Sequence, residues 1–205
     1  MQNELNRQEF LSIFQRQIAS RPGADKLLEW LESTDFFTAP ASTRFHGARE
    51  GGLLQHSLNV CHRMTELCSQ HADRLLPAFG GDAGRLESAA ALCGLFHDLC
   101  KVDFYKQSTR NVKNEETGKW EKVPFYTVED SLPYGHGEKS VYILSSFIRL
   151  SREEAMAIRW HMGGFDDAAR GGSFAVGQAF DQHPFALLLH LADMLATHLD
   201  ESQPE

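Results

Sequence analysis

Several things are scarce in this chain, and each scarcity removes a class of protein. Of 205 residues only four are cysteine, Cys61, Cys68, Cys93 and Cys100, and none forms a CxxC pair. That argues against a disulfide scaffold and a thiolate zinc site, and it makes the reduced cytoplasm the expected compartment. The two pairs are each seven apart, two helical turns along one face, and read as core packing. No stretch approaches the roughly 18 apolar residues of a membrane-crossing helix, and the opening MQNELNRQEF lacks the basic-then-apolar order of a secretory leader. No membrane partner is therefore expected. Basic residues number 20 against 28 acidic, a net charge of −8, which disfavours a protein that lives by coating nucleic acid. There is no internal repeat, low-complexity tract or linker, and the length fits one domain.

What is abundant is histidine, ten residues in all, together with helical periodicity. Phe10, Ile13, Phe14 and Ile18 recur at helical spacing between Asn3 and Ser20, and a second amphipathic segment covers Ala24–Glu32. Residues 1–33 thus read as N-terminal helices packed on a core formed by 34–205. The stretch 34–52 reads as an ordered loop, since it must shelter Phe36, Phe37 and Phe45. Helices are expected at Leu53–His71, Arg85–Leu99, Gly137–Leu150 and Ser151–His161, the last opened by a Ser151/Glu154 capping box, and again from Pro184. Arg85–Leu99 is the most apolar segment and is expected at the centre. Between residues 102 and 128, Thr, Val, Tyr and Phe alternate with polar residues around NEETGK, the pattern of a β-hairpin inserted between helices. The stretch 162–177 reads as a Gly-rich loop. The expected class is all-α, a helical bundle with a small inserted hairpin.

His97 and Asp98 stand together in LFHDLCK, at the end of that most apolar helix. Burying two ionisable side chains there costs on the order of several kcal/mol unless a partner such as a metal ion compensates. An HD dipeptide alone reads better as a hydrogen-bonded histidine beside a capping aspartate, because a dipeptide is a weak motif. Other positions add weight: His56 in GGLLQHSLNV, His136 between two glycines ahead of a helix, and His161 closing EEAMAIRWH. Asp193 lies within LLLHLADMLA, where a carboxylate on a buried helix face needs a cation or a donor. The elements fall near the inner face or end of different predicted helices, as a ligand cage in a helical bundle requires.

This series, His56, His97-Asp98, His136, His161 and Asp193, resembles that of the HD-domain metal-dependent phosphohydrolases. The stretches FHGAREGGLLQHSLNV, LFHDLCKVDFYK, GHGEKSVYIL and EEAMAIRWHMGG are similar to the HD portion of the YhaM-type 3′→5′ exoribonucleases, over about Thr34 to Asp200. Those enzymes carry an N-terminal OB-fold that grips single-stranded nucleic acid, whereas only residues 1–33 precede the matching region here. The expected substrate therefore shifts toward a nucleotide or another small phosphate ester, with short RNA or DNA still open.

The resemblance implies an HD-domain bundle in which His56, His97, Asp98 and Asp193 hold a first metal ion, and Asp98 bridges to a second held by His136 and His161. Four imidazoles and two carboxylates without thiolate suit Mn, Fe, Co, Ni or Zn better than Mg or Ca. It also implies cleavage of a phosphate mono- or diester by metal-activated water, with Asp98 and Lys101 in catalytic roles. Lys101, four residues after His97, would return to the same helical face and contact substrate phosphate. Arg44 and His46, in the loop before GGLLQH, are further phosphate-binding candidates. Two other readings stay open: a di-iron oxygenase, the activity of some relatives with this series, and a non-catalytic metal-binding or sensor module. His190 is expected beside the site, and His62, His71, His183 and His198 in structural or surface roles. The hairpin's Lys106, Arg110, Lys113, Lys119 and Lys122 outnumber Asp103, Glu115, Glu116 and Glu121 by one, which is expected to favour an anionic substrate near the metal mouth. Self-association through the N-terminal helices is left open.

Overall fold

Helical periodicity resolves into ten helices and one hairpin among the described residues, 2–44, 47–115 and 117–202, of the computed structural model. In chain order they are α1 (Gln2–Gln17), α2 (Ala24–Ser33), α3 (Gly52–Gln70), α4 (Ala72–Leu75), α5 (Ala83–Phe96), β1 (Tyr105–Lys113), β2 (Trp120–Val128), α6 (His136–Ser145), α7 (Arg152–Trp160), α8 (Asp167–Arg170), α9 (Ala175–Gln182) and α10 (Pro184–Leu195). The all-α class with an inserted hairpin holds. None of these helices is long and apolar enough to cross a membrane.

Helix α5 is the axis. Its residues from Ala89 to Phe96 are buried without a break, and their small side chains let α1, α3 and α7 pack against it. At Gly94 an added Cβ would strike the backbone of Cys61 on α3, so this glycine sets how closely α3 and α5 approach. Helix α10 buries Phe185, Leu188, Leu189 and Ala192 and packs on α3 and α7. On the opposite side, Phe10 and Phe14 of α1 meet Phe36, Phe37 and Phe96, with neighbouring ring centroids 5.2 to 6.4 Å apart. These rings order the segment after α2. Burying a side chain of this size contributes about 1.5–3 kcal/mol.

The structure departs from the sequence reading in three places. Helix α5 stops at Phe96 instead of Leu99, because His97 caps it and Leu99–Lys101 tighten into a 3₁₀ turn. Lys101 therefore does not return to the helical face of His97, and Cys100 leaves the face that carries Cys93. The stretch 162–177, expected to be loop, holds a 3₁₀ turn at Gly163–Phe165, all of α8 and the start of α9. The Asp166 carboxylate accepts the Ala168 N–H at 2.9 Å, a cap that starts a helix despite the flanking glycines. Helix α6 closes at Ser145, five residues early, as the Ser146 and Phe147 N–H groups turn back onto the Ile143 and Leu144 carbonyls. The Ser151/Glu154 capping box forms at the start of α7 as expected.

Strands β1 and β2 pair antiparallel from Tyr105↔Val128 to Lys113↔Trp120. Most of their residues are exposed.

Candidate metal centre

Helix ends, more than helix faces, build the site. His56 sits in the second turn of α3, His97 and Asp98 follow the last residue of α5, His136 opens α6, His161 follows α7, and Asp193 lies near the end of α10. Helices α6 and α7 meet closely because residue 137 is glycine: a Cβ there would collide with the Arg159 carbonyl oxygen. Arg159 then clamps the junction. It pairs with Glu138 and, at 2.8 Å, with Asp166, and its guanidinium lies 3.9 Å from the centroid of the Trp160 ring. That contact and its burial give Trp160 a packing role.

All six residues expected from the sequence converge. The Nε2 atoms of His97 and His56 lie 3.2 Å apart, and His56 Nε2 is 3.3 Å from Asp193 Oδ1. The Asp98 carboxylate sits between two groups. Its Oδ2 is 3.5 Å from His56 Nε2 and 3.4 Å from His97 Nε2, while its Oδ1 is 2.8 Å from His136 Nε2 and 3.5 Å from His161 Nε2. Three trios, His56/His97/Asp98, His97/His161/Asp193 and Asp98/His136/His161, each bring one ligand atom per residue within 4.8 Å of one another.

The far side of each ring fixes its tautomer. His97 Nδ1–H donates to the Gly94 carbonyl at 3.0 Å and His161 Nδ1–H to the Ile158 carbonyl at 2.7 Å, because each ring caps the end of its own helix. His56 Nδ1–H donates to Glu201 Oε1 at 2.9 Å. In the neutral rings this leaves all three Nε2 lone pairs facing inward, together with two carboxylates, and lone pairs at such distances repel unless a cation lies among them. His161 Nε2 is buried with no hydrogen-bond partner. Outer bonds that orient imidazoles in this way are the arrangement metal-ligating histidines use, so the residues present fit a bound metal ion.

Electrostatics agrees with the geometry. Burial pushes the Asp98 carboxyl up, yet the Lys101 ammonium and the surrounding histidines outweigh it and hold it well below the usual carboxylate range. Asp193, also pushed up by burial, is held low by His56. Burial depresses His56, but its bonds to Asp193 and Glu201 raise it to about 9. His136, likewise opposed by burial, is lifted to about 10 beside Cys100 and Asp98. The carboxylates draw positive charge onto His56 and His136, while burial holds the His161 imidazole below its ordinary value; a divalent cation meets that demand while leaving the rings neutral.

The site opens into a cavity of about 280 Å³ lined by His56, Asp98, Lys101, Tyr105, His136 and Asp193 among others. A larger cavity, about 430 Å³ between α1, α3 and α5, has Ile13, Cys61, Cys68 and Leu86 in its wall; it lies away from the histidine cluster, and size alone does not mark the chemistry. Lys101 Nζ is 2.6 Å from Asp98 Oδ2 and its side chain is largely buried. Arg44 is exposed, and among the described residues of its loop Ala41 and Ser42 reach the cavity. His46 lies outside the described residues. His190 donates from Nδ1 to the His161 carbonyl at 2.7 Å, stacks on Phe180 and reaches the cavity wall. Of the histidines expected in structural or surface roles, His62 and His183 pair with Glu9 and Glu153, and His71 caps α3. His198 instead reaches the cavity.

Sequence reasoning missed Glu201, Cys100 and Tyr105. Glu201 follows Asp193 and Thr197 at four-residue steps, a pattern visible in the sequence. In an α-helix two such steps drift round the axis, but Ala196–Asp200 form a wider π-helical turn that limits the drift. Cys100 Sγ lies 3.4 Å from both His136 ring nitrogens, an approach that only the break in α5 creates. Tyr105 donates to the Ala41 carbonyl at 3.3 Å and closes one wall of the cavity.

No match to the chain is found among curated proteins or among solved structures. The HD domain family does match, over residues 53–198, a span that takes in all six converging residues. The chain therefore belongs to the HD domain family.

Proposed function

We propose that the protein is a metal-dependent phosphohydrolase acting on a phosphate mono- or diester of nucleotide or short nucleic-acid size. The observation that carries this is the inward convergence of three imidazole Nε2 atoms on the buried Asp98 and part-buried Asp193 carboxylates, beside a cavity whose lining includes His56, both carboxylates and Lys101. A bound divalent transition metal supplies a Lewis acid and a water of lowered pKa. His56, His97, Asp98 Oδ2 and Asp193 would hold one ion, and His136, His161 and Asp98 Oδ1 a second, because the two Asp98 oxygens already divide between those groups. Mn, Fe, Co, Ni and Zn suit this donor set.

Lys101 has two partners to serve. Asp98 holds its ammonium in place and keeps it charged: burial lowers its affinity for the proton, and Asp98 more than restores it. It then stands ready to bind a phosphate oxygen. Arg44, exposed two residues beyond Ser42, would meet the part of the substrate that projects outward, together with His46. The cavity is at the small end of ligand sites, so it accommodates the reacting phosphate and its nearest group while the remainder extends outside. Four free, buried cysteines support a reduced cytoplasmic setting. The finer likeness to the HD portion of YhaM-type exoribonucleases belongs to the same proposal.

The test is to load purified protein in turn with Mn, Fe, Co, Ni and Zn and assay mononucleotides, cyclic dinucleotides, short RNA and bis(p-nitrophenyl) phosphate. Phosphate-ester cleavage that requires metal is expected. Cleavage by metal-stripped protein overturns the reading, and oxygen uptake by the iron form without ester cleavage replaces it with the oxygenase alternative.

A further inference from the structure

The hairpin has two faces of different character. Alternation along β1 and the register with β2 place Tyr105, Gln107, Thr109, Asn111 and Lys113 on one face with Trp120, Lys122, Pro124, Tyr126 and Val128. None of these ten residues is acidic, in a chain of net charge −8. The other face carries Glu121, and there Arg110 lies over the Phe125 ring at 5.6 Å, so its cation and its aromatic ring satisfy each other. On the acid-free face Trp120 is open to solvent, while Tyr126 and Tyr105 are half-buried. Trp120 is 70% exposed, and Tyr126 and Tyr105 follow it toward the base of the hairpin with ring centroids 6.5 Å apart. Tyr105 also lines the metal-site cavity, so the face runs into the site.

We propose that this face binds a single-stranded oligonucleotide and leads one end of it to the metal centre. An exposed ring beside two lysines at the tip, with half-buried rings toward the base, offers bases a stacking surface and phosphates a pair of cations. A strand of nine residues spans about 27 Å between its ends, room for at most about eight stacked nucleotides at 3.4 Å each. Binding itself is independent of hydrolysis, but delivery to the metal centre rests on the proposed phosphohydrolase reading and names its substrate as a short oligonucleotide.

The test uses the full chain with phosphorothioate-linked oligonucleotides of two to twelve residues, which keep their charge and resist cleavage. Fluorescence anisotropy and tryptophan quenching are the readouts. Among the three tryptophans, Trp30 packs on Phe147 and Trp160 lies under Arg159, so quenching reports on Trp120. Affinity is expected to rise with length and level off near eight nucleotides. Trp120→Ala should weaken binding by about 5- to 150-fold and Trp120→Phe should largely restore it. The Lys113→Glu/Lys122→Glu pair should flatten the slope of log affinity against log salt by about 1.4. All three variants should hydrolyse bis(p-nitrophenyl) phosphate like the wild type.

Binding that ignores both changes overturns the proposal, as does no binding at all. A dimer that Trp120→Ala returns to monomer, without oligonucleotide binding, makes the face an interface between copies instead. Hydrolysis of the small diester without oligonucleotide binding removes this proposal and leaves the hydrolase reading. Trp120-dependent binding in a protein that cleaves no phosphate ester does the reverse for the binding face.

Discussion

Phe96 and His97 are neighbours in the chain and belong to two regions built on opposite physics. Phe96 closes the aromatic cluster with Phe10, Phe14 and Phe36, where each ring stabilises the others through dispersion and excluded water. His97 begins the polar cluster, where each added ligand makes the next less comfortable until a cation is present. Both are buried completely. The apolar region is therefore complete without a ligand, while the polar region gathers groups whose mutual repulsion is relieved by binding. One residue of helix termination separates a part that holds the fold from a part that performs chemistry.

That contrast can be broken most severely at Asp98. Asp98→Asn keeps the shape but removes the charge shared between both ligand groups. Loss of several kcal/mol of transition-state stabilisation should lower phosphate-ester cleavage by at least about 10³-fold. Metal content measured by atomic emission should fall in parallel while the circular dichroism spectrum is retained. Phe96→Ala is the converse experiment: it should cost about 3–5 kcal/mol in urea unfolding, with metal per folded chain unchanged. Metal loss at this variant without unfolding would show that the two regions are not separable.

Lys101→Met tests the cavity wall. Removing a charge-assisted contact worth about 1.5–3 kcal/mol should cut kcat/KM by roughly 10- to 150-fold with metal content intact. Glu201→Gln keeps the size and loses the charge behind His56, and should weaken metal affinity by about 10-fold, at the low end for an outer partner of a ligand, measured by competition with a chelator.

The smallest effect concerns a polar pair that needs no metal. Lys139 sits in the first turn of α6, where the helix dipole disfavours a cation. It is held by Asp130 at 2.6 Å and by the Phe104 ring, 4.9 Å from its Nζ. The hydrogen bond from Lys139 keeps the Asp130 carboxyl below its ordinary value. The unfolded chain thus binds that proton more tightly, so the pair's contribution is fully present above about pH 4 and is lost as pH falls through the lower folded value. Asp130→Asn should be slightly less stable than wild type at pH 7, and the gap should close in acid; a gap constant from pH 7 to pH 2 contradicts the assignment.

The fold was legible where physics is local. The apolar face of α1, the Ser151/Glu154 box and the alternation in the hairpin rest on neighbours a few residues apart, and all appear at or within a few residues of their expected places. Helix α8 was hidden because the glycines around it signal a loop, and the Asp166 cap outweighs them. The six converging residues were legible as a set because ionisable side chains in apolar segments demand a partner. Cys100 and Tyr105 were not, since nothing in their sequence surroundings shows that α5 breaks at Phe96 and turns the following residues back toward the site.

By itself, the sequence determined which groups are available and which must be buried: periodicity set the helices, and His97 and Asp98 at the end of the most apolar one required compensation. Tertiary structure decided the rest. The approach of α3 to α5 at Gly94 and of α6 to α7 at Gly137, the helix-end carbonyls that fix the imidazole tautomers, and the division of the Asp98 oxygens between two groups all depend on distances between segments far apart in the chain. Burial can be read from side-chain chemistry, but the direction of a lone pair depends on what stands behind the ring, and only the packed helices place it there.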